Sequence, residues 1–141
     1  MLEDKIRQLA TAKNYAVLST LMPDGQPQSQ VVWVDADDEH VIVNTVVTHQ
    51  KFKNVERDPR ATVTIIDAAN PYRYAEVRGR VVEVIRGDEA RAHIDALSQR
   101  YLGHPYDREI TAERVILKIA PIRQRTPAAE APNPPTDQLK S

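Results

Sequence analysis

The segment YRYAEVRGRVVEVI, residues 72–85, decides the fold because it predicts a strand that bends partway along its length. Charged residues alternate with small or apolar ones over residues 76–81, which is the two-residue period of a strand. The alternation slips at Val81 and Val82, just after Gly79, and such a slip indicates a β-bulge. A sheet that closes into a barrel needs bends of this kind, so the segment favours a curved sheet.

Five further strands are predicted, and their order along the chain favours an antiparallel barrel. They cover residues 15–21, 27–35, 41–46, 61–66 and 114–122, and helices are predicted over residues 2–12 and 87–102, with a short helix ending before Asp58. Because the strands are mostly consecutive, we predict a mainly β fold with inserted helices, a six-stranded antiparallel barrel. Residues 126–141 contain four prolines and almost nothing to bury, so a disordered tail is predicted after a domain of residues 1–125.

The composition argues against several classes of function. The chain has 19 basic and 20 acidic residues, so no overall field recruits nucleic acid or an acidic membrane surface. The absence of cysteine excludes disulfides and thiol chemistry, and the four histidines lack metal-ligand spacing, so no metal is predicted. The four glycines form no nucleotide-binding motif. Because neither a signal peptide nor a membrane-length apolar run is visible, we predict a cytoplasmic protein.

The turn VTHQKF, residues 47–52, is the first candidate site, because it places cations at the positive end of a predicted helix. Thr48 is predicted as the N-cap, with Val47 and Phe52 forming a hydrophobic staple around it. His49 and Lys51 then fall where the helix dipole disfavours a positive charge, unless an anion binds there. The alternative is that both are ordinary solvated surface residues.

A second group of candidates lies on the strands. Tyr72 and Tyr74, with an arginine between them, offer aromatic surface for a planar ring, although strands are enriched in aromatics anyway. Gln28 and Ser29 are polar within a strand that should be partly buried, so they favour either a heteroaromatic ligand or a solvent-facing edge. Trp33 is a candidate for the core or for the wall of a ligand site, and the sequence leaves both open.

Three segments together resemble a known superfamily. They are STLMPDGQPQ (residues 19–28), KFKNVERDPRATV (residues 51–63) and YRYAEVRGR (residues 72–80). In this combination the chain resembles the flavin/deazaflavin oxidoreductases, and more narrowly the actinobacterial pyridoxamine-phosphate-oxidase-like proteins that use coenzyme F420. The resemblance covers about residues 5–125. It implies a six-stranded split β-barrel of the FMN-binding type and a homodimer with the cofactor at the subunit interface.

The resemblance also implies roles for individual residues. Lys51 stands at the family's phosphate-binding lysine, and His49 stands where relatives often carry arginine. Tyr72 and Tyr74 match aromatics that reach the cofactor from the other subunit. The full set expected to bind the cofactor is Gln28, Ser29, Thr45, Thr48, His49, Gln50, Lys51, Asn54, Tyr72 and Tyr74. No catalytic residue is identified, and Tyr74 or ordered water is a guess for the proton donor.

The leading hypothesis is therefore an F420-dependent reductase that transfers a hydride to a conjugated small-molecule acceptor. An FMN-dependent oxidase or reductase of the same fold is the first alternative, because FMN also presents a phosphate to a basic turn. A protein that only binds F420, flavin or a haem-like ligand is the second. A structural or protein-interaction module with a merely charged surface is the third.

Overall fold

The structure, a computed structural model, describes residues 1–127 of the chain. The predicted tail falls almost entirely outside the described residues. Seven strands and three helices follow one another as α1 (Asp4–Thr11), β1 (Tyr15–Leu21), β2 (Pro27–Trp33), β3 (Asp35–Ala36), β4 (Val41–Val46), α2 (Gln50–Arg57), β5 (Arg60–Ile66), β6 (Tyr74–Ile85), α3 (Asp88–Leu102) and β7 (Arg114–Arg125). The fold is mainly β with inserted helices, as the sequence predicts.

All strands join one antiparallel sheet in the order β2-β1-β5-β6-β7-β4-β3. The two edge strands, β2 and β3, are consecutive in the chain and only the buried Val34 separates them. A sheet whose edges are tethered by one residue must curl, so the sheet forms a half-closed barrel. β3 pairs only with Val41 and Ile42, so it covers only the start of β4. The barrel is therefore split open beside residues 43–46.

The bend predicted in residues 72–85 is present in β6. The register of β6 against β7 shifts between Arg78 and Gly79 and again between Val81 and Glu83. A Cβ at Gly79 would come within 2.2 Å of the carbonyl oxygen of Ala120, so only glycine allows the two backbones to approach here. These irregularities let one long strand turn the corner of the barrel.

The barrel interior is filled by alternate residues of the strands and by α1, which plugs one end. Ile6 and Ala10 of α1, and Leu2 just before it, are almost fully buried in the same apolar cluster as the inward-facing strand residues. Two smaller clusters fix the other helices. Phe52 of α2 packs on β7, and α3 lies over β4 and β7 through Ala90. The starts of α2 and β7 are thereby brought beside the split.

Two sequence predictions about local structure are wrong. The sheet has seven strands rather than six, because residues predicted as the end of β2 and the following turn form the two-residue strand β3. α2 is capped at His49 rather than Thr48, with no side-chain capping bond. Val47 and Phe52 consequently do not occupy staple positions, although both pack in one cluster. A β-branched polar residue next to a helix predicts a cap, but the chain turns one residue later.

Candidate functional site

A cavity of about 380 Å³ opens in the barrel split, between β2 and β4. α3 and the loop that follows it form one side of the cavity, and the starts of α2 and β7 form its end. The residues that line it are Tyr15, Val31, Val32, Trp33, Asn44, Thr45, His49, Lys51, Ile94, Leu97, Leu102, Tyr106, Asp107, Arg108 and Arg114. One end is cationic and the other is aromatic and aliphatic.

Lys51 and Arg114, called the pocket cations below, form the cationic end of the cavity together with His49. Lys51 Nζ donates to His49 Nδ1 at 3.3 Å and to Gln30 Oε1 at 3.2 Å. Because an ammonium group only donates, His49 Nδ1 must be an acceptor, which leaves the imidazole neutral with its proton on Nε2. Thr45, almost fully buried, places its hydroxyl 3.5 Å from the same Nδ1.

The pocket cations have no acidic partner. Within residues 1–127, every ion pair with a carboxylate involves other residues. Burial, and then repulsion from Lys51 and Arg114, lowers the pKa of His49. Burial and the charge of Arg114 likewise lower the pKa of Lys51. This end of the cavity therefore carries positive charge that an anion would relieve, beside the free amides of the first turn of α2.

Arg114 is held in place by two neighbours. Its Nε donates to Asn44 Oδ1 at 2.8 Å, and its guanidinium lies over the ring of Tyr106 at 5.5 Å from the centroid. Burial lowers the pKa of Arg114, yet a guanidinium stays charged in proteins. The side chain is thus a fixed planar cation, which suits a phosphate oxygen pair.

Trp33 forms the aromatic wall of the cavity and also packs against the buried cluster of Ile94, Leu97 and Tyr101. Its ring stacks on Tyr101, with the centroids 5.1 Å apart and 3° between the planes. The hydroxyl of Tyr101 donates to the carbonyl of Asn14 and accepts from the amide of Val34, so the buried Tyr101 cannot turn. One face of the indole is therefore covered and rigid, and Trp33 offers the remaining surface to the cavity.

The residues predicted from the sequence are distributed over several places. Thr45, His49 and Lys51 line the cavity. Asn54 is fully buried, and its amide donates to Thr20 and to Gln28 while it accepts from Gln50. These contacts tie α2 to the β1–β2 hairpin.

The other predicted residues do not line the cavity. Thr48 is exposed beside the start of α2. The hydroxyl of Ser29 shares a hydrogen bond of 2.8 Å with Ser19 on the neighbouring strand. Tyr72 lies in the turn before β6, and Tyr74 is the first residue of that strand, two strands away from Tyr15 of the cavity wall.

Sequence reasoning did not single out Arg114, Asn44 or Tyr106. Arg114 follows the loop after α3 and begins an apolar strand, and only its register opposite Val46 brings it to the turn that carries Lys51. An arginine at the first position of a strand was the one available signal, and it is a weak one. Asn44 was visible as a single amide inside the apolar run of β4.

Comparisons with known proteins agree with this architecture. The sequence profile described as pyridoxamine 5'-phosphate oxidase matches residues 2–126. An F420 reductase structure shares 30% identity with a TM-score of 0.76, over 88% of this chain and 98% of that one. The conserved hypothetical protein Rv2991 from Mycobacterium tuberculosis shares 27% identity with a TM-score of 0.71, over 89% and 84%. General Stress Protein 26 from Bacillus anthracis, at 22% identity with a TM-score of 0.66 over 87% and 91%, shows the same fold. No curated protein matches.

No helix within residues 1–127 has the length and apolar character to cross a membrane. The same residues contain no group of three or more His, Cys, Asp or Glu side chains arranged to hold a metal ion.

Proposed function

The chain belongs to the pyridoxamine 5'-phosphate oxidase family, and from that premise we propose that it is an F420-dependent reductase. It binds the deazaflavin in the barrel split and transfers a hydride to a conjugated small-molecule acceptor. The observation that carries this proposal is the cavity with two cations and a neutral histidine at one end, none of them paired with a carboxylate, and a rigid indole at the other end. That pairing fits a ligand that combines a phosphate with a planar ring.

The residues of the cationic end bind the phosphate. Lys51 contributes a point charge, Arg114 a planar pair of donors, and His49 its Nε2–H. Thr45 and the first amides of α2 add neutral donors. The ring then lies toward Trp33, with Ile94 and Leu97 as apolar walls. The similarity to an F420 reductase at 30% identity supports the choice of F420 over FMN.

The chemistry divides between ligand and protein. A bound deazaflavin supplies the hydride from its ring carbon, so the protein needs no nucleophile or metal of its own. The contribution of this chain is to hold the ring against Trp33, to exclude water with the apolar walls, and to leave room for a flat acceptor. A conjugated, electron-poor acceptor such as an enone or a quinone fits these demands.

A second copy of the chain completes the cavity in this proposal. A cross-strand row of mostly aromatic residues runs along the outer face of the sheet and begins in the cavity wall. Its members, in order across the strands, are Trp33, Tyr15, Ile66 and Tyr74. Tyr15 is 44% exposed, Tyr74 40% and Val31 70%. An apolar row that continues out of a ligand site favours a homodimer interface, with Tyr72 and Tyr74 of one copy approaching the cavity of the other.

The test is a titration of the purified protein with oxidised F420 and, separately, with FMN. Trp33 is the only tryptophan and lines the cavity, so its fluorescence reports occupancy directly. We expect F420 to bind, and Lys51→Ala to weaken binding about tenfold or more. Lys53→Ala, an exposed lysine on the same helix, is the matched control and should bind as the wild type does.

The possible outcomes separate the alternatives. Binding of FMN instead of F420 would keep the site and change the cofactor. Binding of F420 without hydride transfer to any member of a panel of enones and quinones would favour a carrier of the cofactor. If neither ligand bound, the redox proposal would be wrong.

A further inference from the structure

A chain of hydrogen bonds runs from the interior to the cationic end of the cavity. Asp35 Oδ1 accepts from an Arg100 NH2 group at 2.8 Å, and Asp35 Oδ2 lies 2.9 Å from His93 Nε2. His93 Nδ1 lies 3.1 Å from Asn44 Nδ2, which also donates to the carbonyl of Ala90 at 3.0 Å. Asn44 Oδ1 then accepts from Arg114 Nε.

Each member of the chain fixes the next. Partial burial opposes ionisation of Asp35, but hydrogen bonds from His93 and Arg100 outweigh it and lower its pKa, so the group is a carboxylate that only accepts. His93 Nε2 must therefore donate, and in the neutral imidazole Nδ1 must then accept. Both amide hydrogens of Asn44 are consequently used, and its oxygen is the one atom left to face Arg114.

We propose that His93, supported by Asp35 and acting through Asn44, is a positioning residue that orients Arg114 for the phosphate of the cofactor. The inference rests on the proposed function. His93 does not line the cavity, so it does not touch the ligand. It sets the direction of the Asn44 amide, and an amide turned the other way would place donor against donor at Arg114 Nε. Without this chain of hydrogen bonds, the guanidinium of Arg114 has the ring of Tyr106 as its remaining contact in the site.

The test compares two substitutions at one position. His93→Leu removes both hydrogen bonds, whereas His93→Gln keeps an oxygen acceptor and an N–H donor at a similar spacing. We expect His93→Leu to weaken F420 binding about tenfold and His93→Gln to restore affinity to within about twofold of wild type. In an Arg114→Ala background, His93→Leu should have no further effect, because the residue that it positions is gone.

A measurement without ligand separates this inference from the proposed function. The Nε–H resonance of Arg114 in a 15N NMR spectrum is protected from exchange while it donates to Asn44. We expect that protection in the wild type and in His93→Gln and its loss in His93→Leu, whether or not F420 binds. Retained protection in His93→Leu would overturn the inference, as would an undiminished loss of F420 affinity when His93→Leu is added to Arg114→Ala. Failure of the wild type to bind F420 or FMN would overturn the proposed function alone.

Discussion

Two basic clusters in this protein use similar residues in opposite ways. At the split, the pocket cations form no ion pair with a carboxylate of residues 1–127. In the turn between β3 and β4, Asp37 lies between His40 and Lys118 of β7, which are 3.0 Å and 3.2 Å from its two oxygens. His40, Lys118 and Asp37 form what is called the Asp37 cluster below. Both clusters join a histidine and a lysine, but the cluster at the split adds Arg114 where the Asp37 cluster adds a carboxylate.

The electrostatic consequences also differ. Partial burial works against ionisation of Asp37, but hydrogen bonds from the Glu39 amide and from the His40 and Lys118 side chains prevail and lower its pKa to about 2. At the split, burial and like charges lower the pKa of His49 and Lys51 instead. A cluster that satisfies its own charges stabilises the fold, whereas a cluster that does not is suited to a ligand.

The largest expected effect is that of reversing a charge at the split. Lys51→Glu places a carboxylate beside Arg114 and should weaken F420 binding by about 100-fold or more. The ligand-free protein should melt at the same temperature or higher, because repulsion among the pocket cations is relieved. Calorimetric titration and thermal melting measure the two quantities.

Lys53→Glu changes the net charge equally on the same helix and serves as the control. Equal losses of affinity in the two variants would mean that a general surface field, not the pocket, attracts the anion. A large drop in melting temperature for Lys51→Glu would mean that Lys51 supports the fold, as the Asp37 cluster does.

The next effect is a dependence of affinity on pH that originates at His49. The groups around its imidazole are Lys51 and Arg114, with Asp107 and Arg108 also lining the cavity. A bound phosphate offsets the cations and favours the imidazolium, so binding takes up a proton. Affinity should rise about tenfold from pH 8 to about pH 6.5, and the rise should be absent in His49→Arg, which is charged throughout.

The sign for stability is the reverse. The pKa of His49 is lower in the folded protein than its ordinary value of 6.5, so the unfolded chain binds the proton more tightly. Without ligand, the contribution of His49 to stability is therefore full above pH 6.5 and is lost as the pH falls below it. A flat affinity profile in the wild type would show that His49 does not sense the anion.

Much of the strand arrangement could be predicted from the sequence, but not all of it. The strand pattern could be predicted where inward and outward residues alternate, as in Arg60–Ile66. The bend in β6 was accessible because a phase slip next to a glycine is characteristic of a bulged strand. β3 could not be predicted from the sequence, because a strand of two residues is too short to show an alternating pattern.

The site could be predicted from the sequence only in part, because only some of its residues are neighbours along the chain. His49 and Lys51 share one turn of the chain, so local spacing brings them together. Arg114 reaches them through strand register, and nothing local marks it. Asn54 shows the opposite problem, a residue predicted for the site that lies outside it. The sequence of an amphipathic helix does not show whether a polar residue contacts a ligand or, as Asn54 does, a buried threonine.

The smallest expected effect is that of removing a charge from the Asp37 cluster. Lys118→Met removes a partner of Asp37 and should lower the free energy of unfolding by about 0.5–1 kcal/mol, a shift of a few degrees in melting temperature. F420 affinity should stay at the wild-type value, because Lys118 does not line the cavity. The stabilisation by Asp37 is present above its unfolded pKa of 3.8 and is lost as the pH falls through its folded pKa of about 2, so the difference between the two proteins should shrink over that range. Urea titrations at pH 7 and pH 2.5 measure this difference. A loss of F420 affinity in Lys118→Met comparable to that of Lys51→Glu would contradict the assignment of the Asp37 cluster to stability and of the pocket cations to binding. The overall charge of the protein, rather than its position in the cavity, would then govern binding.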